Sequence, residues 1–253
     1  MEITDYITKC VNENIPISFL KFGDGEYNCA FYGYGRNCDN DSYTMKLSDN
    51  IKSSFKYIVE KEDNTFIGLW HDSANKINWE TLVNKKVNWV NYHTLIIDKQ
   101  NTDQKVNLYK AIKNSKSKKI IVCNNLLLKS KYLFDADYIV NVPLNNWFDT
   151  QFDDILCQVK NLINSDENHI VITCCGMSSK VLITELRKSF KNGIYLDFGS
   201  AIDFICTKRD SRGREYNYEY IENLLSEILP NNWNDKSFEY IYNDARNQLG
   251  IHL

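Results

Sequence analysis

The sequence predicts an α/β domain: a mostly parallel sheet with helices on both faces, followed by a C-terminal helical tail. Three observations lead there. Short β-rich apolar runs alternate with longer segments of helical period, the rhythm of strands joined by crossover helices. The stretch from Tyr216 onward carries helical periodicity only. No internal repeat and no Pro/Gly/Ser-rich linker interrupts the chain, so residues 1–253 are read as one domain with a tail over about 216–253.

The strand runs in order are Ile17–Phe22, Thr65–Trp70, His93–Asp98, Lys119–Cys123, Tyr138–Val142, Ile170–Cys174 and Gly193–Phe198. Between the first two, Leu47, Ile51, Phe55, Ile58 and Val59 form one stripe of a helix over Lys46–Lys61. Further helices are expected near Trp79–Trp89, Asp103–Asn114, Asp149–Ile163 and Ser178–Phe190. In the tail, Tyr220, Leu224 and Ile228 recur at helical spacing, and Phe238–Gln248 reads as a second helix.

Composition narrows the function classes. The 253 residues are 43% hydrophobic, enough for a substantial core, and no apolar run approaches the ~20 residues of a membrane helix. Thirty basic against 33 acidic side chains give a net charge of −3, which argues against a nucleic-acid partner. Met1–Leu20 lacks a basic segment leading into an unbroken apolar stretch, so a secretory signal is not expected. Eight cysteines without a CxxC pair point to reduced, buried thiols and a cytoplasmic setting rather than to zinc or disulfides. The apolar stripe of the tail offers a surface for homo-oligomer contact.

In parallel sheets ligands gather beyond the carboxyl ends of the strands. After the first strand comes Phe22-Gly23-Asp24-Gly25-Glu26. Its glycines are expected to turn the backbone sharply, letting Asp24 and Glu26 face one point. Two carboxylates so placed suit Mg²⁺ or Mn²⁺, which then accept phosphate oxygens; a surface turn with two solvated acids is the plainer alternative. After the sixth strand, Gly176-Met177-Ser178-Ser179-Lys180 opens a helix, offering backbone N–H groups and a cation to an anion, or simply an ordinary cap from Ser178 or Ser179. After the seventh, Asp197 can reach ribose or sugar hydroxyls, Gly199 and Ser200 permit close backbone approach, and Asp203 starts a short helix.

Together, Phe22-Gly-Asp-Gly-Glu26, the Gly176 turn leading into Lys180-Val-Leu182, and Asp197-Phe-Gly-Ser-Ala-Ile-Asp203 resemble the GT-D glycosyltransferases, a family first catalogued as a domain of unknown function. The resemblance spans roughly Ile17 to Phe204 and implies a Rossmann-like catalytic domain. It also implies a nucleotide-sugar donor, usually a UDP-sugar, a glycan or other hydroxyl acceptor, and Mn²⁺ or Mg²⁺ held through an Asp-x-Glu motif matched by Asp24 and Glu26. On that reading Gly23, Gly25, Gly176, Ser178, Ser179 and Lys180 surround the diphosphate, and Asp197, Gly199, Ser200 and Asp203 the ribose or sugar. Cys174, Cys175 and Met177 depart from the small residues that many relatives carry there. The acceptor's base is assigned to Asp72, with His71 second. Trp70, Trp147 and Phe148 are candidates for stacking on uracil or sugar, and Arg209, Arg212 and Arg214 for closing over the diphosphate.

Two other functions share these features. An acid-x-acid pair after a first strand also occurs in haloacid-dehalogenase-like phosphatases, although Asn28 stands where those carry a hydroxyl residue. A non-catalytic module binding a nucleotide or glycan is the other.

Overall fold

The structure is a computed structural model that describes residues 2–70, 73–98, 100–209, 212, 214, 218–229 and 233. Helix α1 (Ile3–Glu13) precedes β1 (Ile17–Lys21), α2 (Asp24–Phe31), α3 (Met45–Lys61) and β2 (Thr65–Leu69). Then follow α4 (Asn75–Glu80), β3 (Trp89–Asn91), α5 (Thr102–Asn114), β4 (Lys118–Cys123), α6 (Ser130–Phe134) and β5 (Tyr138–Asn141). The chain continues through α7 (Phe148–Leu162), β6 (His169–Cys174), α8 (Ser178–Ser189), β7 (Gly193–Asp197), α9 (Asp203–Thr207) and α10 (Tyr218–Leu224).

The seven strands form one sheet in the order β3-β2-β1-β7-β6-β4-β5, and every pairing is parallel. Alternate residues feed two cores. Ile17 and Phe19 of β1, Ile121 of β4, Ile172 of β6 and Leu196 of β7 pack toward α1, α5 and α6. Leu20, Val122, Val171 and Tyr195 pack toward α3, α7 and α8. Strands buried on both faces read as unbroken apolar runs, which is why six of the seven expected strands are found within a residue or two of their expected ends.

The path of the chain positions the site. From β1 it winds outward to β2 and β3 on one side, then crosses to β4 and β5 and returns through β6 to β7, beside β1. The connection after β1 covers one face and α5 the other, so the winding reverses at the β1–β7 junction, where such sheets open a crevice.

Three expectations need correction. His93–Asp98 is not a strand; the third strand is Trp89–Asn91, aligned Ile67 to Trp89 against β2. Asn91 Oδ1 accepts the His93 N–H at 2.8 Å, an Asx turn that ends the strand, and Leu95, Ile96 and Ile97 are buried by packing instead. Trp79–Trp89 is not one helix: α4 stops at Glu80, and Trp89 reaches back from β3 to donate to Glu80 Oε1 at 2.7 Å. Phe22–Glu26 is not a free loop, since α2 begins at Asp24. Helix α1 is an addition to the expected elements: its mixed charges mask the stripe that Ile7, Cys10 and Val11 bury. Of the tail, α10 is observed, and Phe238–Gln248 lies outside the described residues. All eight cysteines are free thiols, six of them buried.

Candidate functional site

Glycines let α2 start close to its neighbours. Gly23 and Gly25 have no positive φ, so they do not make the sharp turn expected of them. A Cβ at Gly23 would lie 3.1 Å from the Tyr92 ring, and one at Gly25 3.3 Å from Asn37 Cβ. Glu26 then caps its own helix, its Oε2 accepting the Gly23 N–H at 2.9 Å. This leaves Asp24 exposed at the helix start while Glu26 is buried.

One buried lysine ties the three expected motifs together. Lys180 Nζ lies 2.5 Å from Glu26 Oε1 and 2.9 Å from Asp197 Oδ2, and it donates to the Gly176 carbonyl at 3.2 Å. Asp197, fully buried at the end of β7, also accepts the backbone N–H groups of Lys21 and Gly199, both at 3.1 Å. Burial opposes the charge on Lys180, but Asp197 and Glu26 together outweigh it and hold the ammonium's pKa above its ordinary value. The network fixes α2, α8 and β7 against one another. Asp197 is therefore placed beneath the cleft floor rather than against a ligand.

Lys21, which ends β1 and bonds Asp197 through its backbone N–H, carries a second buried ammonium. It is 2% exposed, donates to the Phe198 carbonyl and stands 5.2 Å over the Tyr92 ring. It forms no ion pair among the described residues. Burial lowers its pKa to about 8; the charge of Lys180 adds to this, and Asp197 and Glu26 only partly oppose it. A cation left in this state at a cleft is a site that an incoming anion would stabilise. Its signal in the sequence was a lysine inside the otherwise apolar or small run Ile17–Phe22.

The turn after β6 presents backbone, not hydroxyls. Gly176 has φ +70°, and a Cβ there would meet Asp41 Oδ2 at 2.8 Å. Met177 is the N-cap of α8 without a side-chain cap bond, so neither serine caps the helix. Ser178 and Ser179 are buried, and Ser179 Oγ is 3.1 Å from Cys175 Sγ. What faces the cleft is the positive end of a 12-residue helix, although the Ser179 and Lys180 N–H groups already donate to the Gly176 and Met177 carbonyls at 3.3 and 3.4 Å. Gly199, also at positive φ, passes against the Lys21 ammonium. Ser200 is engaged through its carbonyl and hydroxyl by Arg214, at 3.1 and 3.0 Å.

These elements border a cleft of about 1040 Å³. Asp24, Gly25, Glu26, Gly176, Lys180, Gly199, Ser200 and Asp203 line it; Gly23, Ser178, Ser179 and Asp197 support it from behind. Trp70, Tyr92 and His93 border its β2–β3 end, and Leu126 and Leu144 the β4–β5 end. Arg209, Arg212 and Arg214 also line it, with Arg212 paired to Asp39 at 2.6 Å. Trp147 and Phe148 are buried in the core, so of the three aromatic candidates only Trp70 meets the cleft. His71 and Asp72, assigned as bases from the sequence, lie outside the described residues.

Among the described residues no cluster of three or more His, Cys, Asp or Glu side chains forms a metal cage. Both Glu26 oxygens are already engaged, one by an ammonium and one by a backbone N–H. Asp24 carries no hydrogen bond or ion pair among the described residues and opens onto the cleft. The donor set thus fits a cation held by one protein carboxylate and completed by ligand oxygens and water, the manner in which Mg²⁺ is commonly bound with phosphates.

No family model and no curated protein matches the sequence. Two solved structures match in fold, each with TM-score 0.55 and 16% identity, covering 88% of this chain and 87% of the other. Both are of domain of unknown function 1792; one is a selenomethionine-substituted form, and the other is described as having a distinct glycosyltransferase fold. The chain shares that fold across most of its length.

Proposed function

We propose that the protein is a glycosyltransferase that takes a sugar from a nucleoside-diphosphate donor bound in the cleft at the β1–β7 junction. The single observation carrying this reading is Lys21, a buried ammonium with a lowered pKa and no carboxylate partner among the described residues, beside the N-terminus of α8. A diphosphate supplies the charge that this pair of features lacks. The glycosyltransferase fold described for a structural neighbour supports sugar transfer as the chemistry.

On this reading the diphosphate lies between Lys21 and the Gly176 turn. Lys180 does not bind it directly but holds Glu26, Asp197 and the turn in register, so the anion site is organised before the donor arrives. Asp24 is the residue that would hold Mn²⁺ or Mg²⁺ against the donor; when bound, the ion supplies further neutralisation of the departing diphosphate. Arg214, anchored on Ser200, contributes positive charge at the same wall. UDP-sugars are the donors to test first, with glycan hydroxyls as acceptors.

The test is release of free nucleotide from a panel of nucleotide sugars with Mn²⁺. Release from at least one donor, lost in Lys21→Met, supports the proposal. Phosphate release from simple phosphomonoesters without nucleotide affinity contradicts it and favours the phosphatase alternative.

A further inference from the structure

Leu69 ends β2, and the next residue, Trp70, is carried to the cleft rim with 49% of its surface exposed. Tyr92 stacks on it at 5.2 Å and 18°, and the His93 ring lies 4.5 Å from it at 55°. The Tyr92 and His93 centroids are 5.4 Å apart. On opposite faces of the indole they would be nearly twice as distant, so both rings lie toward one side and part of the indole remains open. Tyr92 holds its proton, burial and Glu26 raising its pKa to about 12, and its N–H to Leu69 O at 3.2 Å fixes it beside β2.

His93 is oriented by the Asn91 turn, yet its imidazole nitrogens make no hydrogen bond among the described residues. The charged groups around it are Arg214, Asp98, Lys21 and Lys105. Burial first, then the Arg214 charge, lower the ring's pKa despite Asp98 and so favour the neutral imidazole. The cluster also begins one ring away from the buried Lys21 ammonium, which stands 5.2 Å over Tyr92, itself stacked on Trp70. On the reading above, these rings therefore adjoin the diphosphate end of the donor.

We infer that the β2–β3 end of the cleft is the acceptor subsite, with Trp70 as the platform for a pyranose ring and His93 as the base for its attacking hydroxyl. The inference rests on the glycosyl-transfer reading above. The apolar C–H face of a pyranose stacks on an indole, while its hydroxyls radiate to groups at the ring's edge, here an imidazole with open hydrogen-bonding capacity. In the transfer step the hydroxyl oxygen bonds to the anomeric carbon as its proton passes to His93. The bond from that carbon to the diphosphate oxygen breaks, the electron pair leaves with the diphosphate, and His93 later returns the proton to water. A single displacement of this kind inverts the anomeric configuration.

The test compares wild type with Trp70→Ala, Trp70→Phe and His93→Gln. Glucose, galactose and N-acetylglucosamine are probed by saturation-transfer NMR, UDP by calorimetry, and transfer from the corresponding UDP-sugars between about pH 5 and pH 8. Trp70→Ala should lose the saccharide signal and Trp70→Phe recover part of it, both binding UDP within about twofold of wild type. His93→Gln should keep both ligands, lower transfer by about 10²–10⁴-fold and lose the acid limb of the pH profile. An unchanged saccharide signal in Trp70→Ala, a roughly tenfold loss of UDP affinity there, which would make Trp70 a nucleobase platform, or full transfer by His93→Gln overturns the inference. A wild type that binds no saccharide overturns it too. Saccharide binding through Trp70 without UDP binding instead removes the glycosyl-transfer reading and leaves the sugar subsite standing.

Discussion

Lys21→Met keeps an unbranched stem of similar length at the end of β1 and removes only the ammonium. The fall of the Lys21 pKa from 10.5 to about 8 corresponds, at about 1.4 kcal/mol per pH unit, to about 3 kcal/mol by which the charged side chain destabilises the fold at neutral pH. Because the folded value lies below the unfolded one, this penalty is complete below about pH 8 and disappears as the pH rises toward 10.5. The substitution also deletes the hydrogen bond to the Phe198 carbonyl, but that carbonyl still accepts the Ala201 N–H at 2.9 Å, so the offset is about 1 kcal/mol. The variant should therefore gain about 2 kcal/mol at pH 7, raising Tm by about 4–8 °C. The difference from wild type should shrink at about pH 10. Its affinity for UDP should fall by about 10–100-fold, the worth of one hydrogen bond to a charged group. Urea denaturation at the two pH values and calorimetry with UDP measure all three effects. A variant less stable than wild type at pH 7, or one that binds UDP equally well, refutes the reasoning.

Glu26→Gln breaks a buried ion pair and should lower stability by about 3 kcal/mol in denaturant titrations. Asp24→Asn, at an exposed position, should leave stability within about 0.5 kcal/mol and abolish the Mn²⁺ enhancement of UDP binding; equal effects on folding would contradict the division of labour between the two acids. Gly176→Ala forces a Cβ into a left-handed turn and against Asp41 Oδ2, so it should lose about 1–3 kcal/mol and weaken UDP binding, with normal affinity as the contrary result. Under a thiol reagent, exposed Cys38 and Cys157 should react in the native protein and the six buried cysteines only on unfolding. Native labelling of Cys174 or Cys175 would mean that the cleft floor opens.

The central strands were legible because burial on both faces leaves an unbroken apolar run, and a Gly turn before an amphipathic segment marked the start of α8. The roles of the charged residues were not. Glu26, Lys180 and Asp197 are far apart in sequence, and each looked like a ligand-binding group when read alone; only the fold shows that they satisfy one another. The glycines of Gly23-x-Gly25 suggested a turn, whereas the contacts that demand them, Tyr92 and Asn37, come from other segments. His93 reads as the start of a strand because Leu95–Ile97 are apolar, and the Asn91 side chain that ends β3 just before it carries no apolar signal. The choice of Trp70 over Trp147 and Phe148 likewise depends on burial, which spacing does not encode.

The most direct measurement is a crystal structure of the protein with UDP and Mn²⁺. The account predicts a diphosphate oxygen within hydrogen-bond reach of Lys21 Nζ, on the side of the cleft where α8 begins, with Lys180 still joined to Glu26 and Asp197. A diphosphate bound elsewhere, leaving Lys21 without an anionic partner, would contradict it.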